Sequence, residues 1–75
     1  MTDFDSLSEV FRMVFQNPEI RVAAETTADD IEGWDSLSHV ILIAAIEDKY
    51  QITFSSSEIL RFRCAGDMLT AINQK

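Results

Sequence analysis

The chain has 75 residues, 47% hydrophobic and 25% charged, and its 13 acidic against 6 basic side chains give a formal net charge of -7. Such a surface repels phosphate backbones, which excludes nucleic acid as a natural partner and favours proteins with basic patches. The length predicts one domain over residues 1–75, and with only two glycines and one proline the composition favours helices over a turn-rich β fold.

The chain opens on MTDFDSLSEV, which is acidic and unlike a signal peptide. Starting at Met1 with no tag or linker, it reads as a complete, free-standing small protein. Phe4, Leu7, Val10, Phe11, Val14 and Phe15 recur at the spacing of one helical stripe. The cap of this first helix falls near Thr2 or Asp3, with Ser6 and Glu9 as a competing capping box, and QNPE around Pro18 ends it. Asn17 to Gly33 is then a long polar connection, with Ile20, Val22 and Ile31 as anchors and Asp29, Asp30 and Glu32 as a charge cluster. Connections this long in small domains are often functional.

A second helix is predicted over Ser36 to Tyr50, capped by Asp35. YQITF reads as extended. Ser55 with Glu58 forms a capping box that opens a short helix to about Phe62, and a last helix covers about Ala65 to Asn73, with Met68, Leu69 and Ile72 facing inward. The sum is an all-α, four-helix bundle with a long first loop and a short third helix. The one cysteine, Cys64, excludes an internal disulfide and zinc-type ligand spacing, and fits a reducing cytoplasm. The longest apolar run, Val40 to Ile46, is too short to cross a membrane.

The second helix is apolar on two sides. At about 100° per residue, Leu42, Ile43, Ile46 and Tyr50 gather on one face, while Leu37, Val40, Ile41 and Ala44 form a second stripe about 40° to 140° round from Ser36. Three other helices, one of them short, can hardly cover both. The second stripe is therefore expected to be an exposed binding face, with Glu47 and Asp48 at its far end; the alternative is that Val40 and Ala44 pack under the long loop.

Ser36 admits three readings. It could simply belong to the helix start, where serine is common, although Asp35 already suffices as the cap. It could be a nucleophile with His39, three residues on, as in a small hydrolase, but no carboxylate orients the histidine and no oxyanion hole is evident. It could be a handle for another enzyme: a phosphodiester there would meet the open N–H groups and dipole of a helix N-terminus, beside an apolar patch.

The stretch GWDSLSHVILIAAIEDKYQITFSSSEI, with its Asp35-Ser36-Leu37 tripeptide opening the second helix and its IEDKY ending, resembles the core of acyl and peptidyl carrier proteins. The later AGDMLTAI fits as well, so the resemblance spans essentially the whole chain. It implies a non-catalytic, monomeric carrier. Its Ser36 would receive 4′-phosphopantetheine from coenzyme A through a phosphopantetheinyl transferase. The thiol of that arm would hold acyl or aminoacyl groups as thioesters. A loading ligase or transferase and downstream synthase enzymes would dock on Leu37, Val40, Ile41 and Ala44, with Glu47 and Asp48. A same-fold adaptor lacking the group is the alternative, disfavoured by the intact tripeptide. Fatty-acid carriers typically hold more acids along this helix where the present chain has Ser38 and Ile41, which implies different partners and a specialised carrier of a dedicated biosynthetic pathway, such as one for a specialised fatty acid, a polyketide, a peptide or a surface polysaccharide. Cys64 is expected to be a half-buried structural thiol, and Trp34 an anchor over the loop.

Overall fold

A computed structural model of the chain describes residues 2–75. Its helices are α1 (Phe4–Phe15), α2 (Ser36–Tyr50), α3 (Ser56–Arg61) and α4 (Ala65–Asn73), with a single 3-10 turn, Ala28–Asp30, inside the long first connection. The chain is an all-α four-helix bundle of the expected type. No helix among the described residues is long and apolar enough to cross a membrane.

Local chemistry sets the helix ends. Asp3 caps α1 by accepting from the Ser6 N–H at 3.0 Å, so the competing Ser6–Glu9 box is not formed. The Ser6 hydroxyl instead meets the Tyr50 hydroxyl at 2.7 Å and ties α1 to α2. Ser55 and Glu58 form the reciprocal box that opens α3. Both α1 and α2 end on a glutamine in the left-handed region, Gln16 and Gln51, whose N–H groups return to the last turn. Among the described residues YQITF pairs with no strand: Tyr50 finishes α2, and Phe54 drops into the core.

The core joins Leu7, Val10 and Phe11 of α1 to Leu42, Ile43 and Ile46 of α2 and to Ala65, Met68 and Ile72 of α4. Phe15, like Phe4 and Val14 of the same predicted stripe, is only half-buried and packs on the edge of this cluster. The connection between α1 and α2 is not a slack loop. Its anchors Ile20, Val22 and Ile31 are all buried. The buried Ser8 hydroxyl donates to the Phe4 carbonyl at 2.6 Å and accepts from the Val22 N–H at 3.0 Å, while Arg12 Nε donates to the Ile20 carbonyl at 2.7 Å.

The same connection caps α4. Cys64 sits half-buried at the N-cap position and makes no side-chain cap bond. The N–H groups of Ala65 and Gly66 donate instead to the carbonyls of Thr26 and Ala24, at 2.8 and 3.1 Å, beside an isolated antiparallel bridge between Thr27 and Cys64. Helix starts leave such donors without internal partners, and here loop backbone supplies the acceptors. Gly66 permits the approach, since a β-carbon there would lie 2.6 Å from the Ala24 carbonyl oxygen.

Candidate functional site

The start of α2 is held from several directions. Gly33 turns the chain with φ +91, a conformation that disfavours any residue with a β-carbon. Its carbonyl accepts from the Ser38 hydroxyl at 2.6 Å. Asp35 Oδ1 accepts from the Ser38 N–H at 2.9 Å and lies 3.0 Å from the same hydroxyl. These contacts, the Ser38 N–H foremost, hold the Asp35 carboxyl below the usual aspartate range. Ser38 is therefore a member of the cap and not an unengaged surface position.

Trp34 fixes the other side. It is buried, packs edge-on against Phe11 with ring centroids 5.3 Å apart, and donates through Nε1 to His39 Nδ1 at 3.2 Å, the two rings lying nearly parallel. It is the anchor expected, with a partner the sequence did not suggest. His39 Nδ1 accepts from Trp34, and among the described residues no carboxylate hydrogen-bonds the imidazole, so the orienting group of a hydrolase dyad is not in place there.

Ser36 is the first residue of α2 and is exposed. Its hydroxyl makes no hydrogen bond among the described residues, and it lines a cleft of about 390 Å³ with Asp35, His39, Leu60 and Arg63. Leu37, Val40 and Ile41 are exposed to 72%, 63% and 52%, and Ala44 and Asp48 are exposed beside them. The apolar stripe next to Ser36 thus faces solvent, and Val40 does not pack under the loop. Glu47 departs from the expectation: it is half-buried, and its Oε2 accepts from the Phe54 N–H at 2.8 Å, because the irregular segment after α2 needs an acceptor there. Leu60 of α3, 84% exposed, extends the apolar surface across the cleft and was not anticipated. A six-residue helix offers too few positions for a reliable apolar stripe.

The chain matches the model of the phosphopantetheine attachment site family over residues 5–72. It belongs to that family. A solution NMR structure of a holo acyl carrier protein from Geobacter metallireducens is similar, with a TM-score of 0.93 and 39% identity, covering 100% of this chain and 86% of that one. No curated protein matches the chain. This carrier is a non-catalytic protein whose cofactor is covalent 4′-phosphopantetheine. The residues at the start of α2 fit the group: a hydroxyl in solvent, at a helix N-terminus whose dipole favours the anion a phosphodiester brings.

Proposed function

We propose that Ser36 is the attachment point, and that the carrier holds acyl or aminoacyl groups as thioesters for a dedicated biosynthetic pathway in the cytoplasm, as a monomeric single domain over residues 1–75. The observation that carries this reading is the exposed, unbonded hydroxyl of Ser36 at the first position of α2, beside the exposed apolar stripe. In the attachment step the Ser36 oxygen bonds to the phosphorus bearing the pantetheine of coenzyme A. The pyrophosphate P–O bond breaks, adenosine 3′,5′-bisphosphate leaves, and the hydroxyl proton passes to a base of the transferase. That base explains why the carrier needs none of its own. Once bound, the group supplies the thiol that forms the thioester.

Leu37, Val40, Ile41 and Ala44, with Asp48 at the far end, form the docking face for the transferase, the loading enzyme and the synthases that follow. Glu47 stays with Phe54 and contributes little to it. The apolar Ile41 and the cap-engaged Ser38 support partners whose contact surface is less basic than that of fatty-acid synthesis enzymes. Intact mass after incubation with coenzyme A and a phosphopantetheinyl transferase tests the assignment. Wild type gains one phosphopantetheine and Ser36→Ala gains none, while staying folded because Asp35 keeps the cap. Modification of Ser36→Ala, or none of wild type with several transferases, overturns it.

A further inference from the structure

Two side chains of the cleft beside Ser36 keep donor groups that make no hydrogen bond among the described residues. His39 lies one helical turn on from Ser36, and Arg63 comes from the connection between α3 and α4; both line the cleft with Asp35 and Ser36. The indole N–H can only donate, so its 3.2 Å bond makes His39 Nδ1 an acceptor. The neutral imidazole then carries its proton on Nε2, which has no hydrogen-bond partner among the described residues. Trp34 is itself buried against Phe11, so the imidazole is oriented before any ligand arrives. Arg63 is anchored through its backbone N–H to Asp67 Oδ2 at 3.1 Å, and its guanidinium meets no carboxylate within ion-pair distance among the described residues. The opposing charge in the cleft is Asp35, whose carboxylate is already engaged by Ser38.

A donor imidazole nitrogen and a guanidinium, on residues that line one cleft with Ser36, suit a small oxyanion. We propose that His39, through its Nε2–H, and Arg63 are positioning residues that hold the phosphodiester on Ser36. This rests on Ser36 being the attachment point. Trp34 acts through His39 by fixing which nitrogen donates.

The test compares the ¹⁵N-labelled protein before and after modification, at one fixed, mildly alkaline pH. Mass spectrometry first establishes the gain at Ser36. Modification is then expected to move the His39 Nε2 resonance. The ³¹P resonance of the phosphodiester is expected to move in modified His39→Phe, which keeps a ring against Trp34, and in modified Arg63→Gln. Trp34 fluorescence checks that the ring packing survives each change. A wild type that gains the mass but shows the same His39 resonances in both forms, with an unmoved ³¹P resonance in both variants, overturns the positioning role alone. Failure to gain the mass overturns the attachment reading, and this inference with it.

Discussion

Along α2, Leu42 and Ile46 are fully buried, whereas Leu37 and Val40, of the same apolar class, keep 72% and 63% of their surface in water. One face is bound by α1, α4 and the anchors of the first connection; the other has nothing over it among the described residues. Hydropathy alone cannot separate the two, since burial rewards both equally per unit area. What separates them is how much covering surface the rest of the chain can offer. A bundle whose third helix has six residues cannot wrap a fifteen-residue helix all round.

The contrast breaks most sharply under truncation. Ile46→Ala removes a fully buried side chain and is expected to cost about 2–5 kcal/mol in urea unfolding. In a domain of small total stability, that unfolds a sizeable share of the population. Val40→Ala is expected to cost no more than about 0.5 kcal/mol, yet to slow modification of Ser36, as loss of an interface anchor does. Equal large losses in the two variants would show that α2 is buried on all sides and that the proposed docking face does not exist.

A second variant probes how the covered face keeps its cover. Ser8 bridges α1 to the first connection, and Ser8→Ala leaves the Val22 N–H without its acceptor in a buried place. The expected cost is about 1–3 kcal/mol. Hydrogen exchange should localise it, with Val22 losing protection more than the helices do. Unchanged protection at Val22 would mean that the connection is held by its apolar anchors alone.

Much of this was legible in the sequence. The four helices, the Asp35 cap, the Ser55–Glu58 box, the anchors Ile20, Val22 and Ile31 and the exposed stripe all follow from periodicity and capping chemistry, which act within a few residues. What escaped depends on distant partners. Nothing near Cys64 shows that loop carbonyls from Ala24 and Thr26 cap α4, and nothing in the glycine itself shows why position 66 needs one. The Trp34–His39 bond and the turn of Glu47 towards Phe54 are likewise products of tertiary packing. The Ala28–Asp30 turn is too short to leave a periodic trace.

Acid should weaken the start of α2 before it touches the core. Asp35 and Glu58 both titrate below the usual carboxylate range, the first chiefly through the Ser38 N–H and the second chiefly through the Ser55 N–H, with Lys75 adding to it. A carboxyl whose folded value is depressed stabilises the fold fully above its unfolded value, near about 4, and loses that contribution as pH falls through the folded one. Asp35→Asn keeps a capping oxygen without the titration. Its unfolding midpoint is expected to fall less steeply than that of wild type below about pH 4. Parallel acid profiles for the two proteins would remove Asp35 from the account.

The smallest expected effect on stability comes from Ile41→Glu, on the uncovered face. Ile41 is 52% exposed, so the change should stay within about 0.5 kcal/mol of wild type. Its consequence lies in partner choice. A new carboxylate beside Ser36 meets the basic surfaces of fatty-acid synthesis enzymes, and complementary charge acts mainly on the rate of association. Loading by such an enzyme should rise several-fold at low salt, with the gain fading towards about 1 M salt as screening shortens its reach. Ser38→Asp is not a clean companion to this variant. It would remove the hydroxyl that donates to the Gly33 carbonyl at 2.6 Å, and place a second carboxylate beside Asp35. Any loss from that change would report on the cap and not on the partner. Equal loading of wild type and Ile41→Glu at every salt concentration would show that position 41 does not set specificity, and that the uncovered face selects its partners by shape alone.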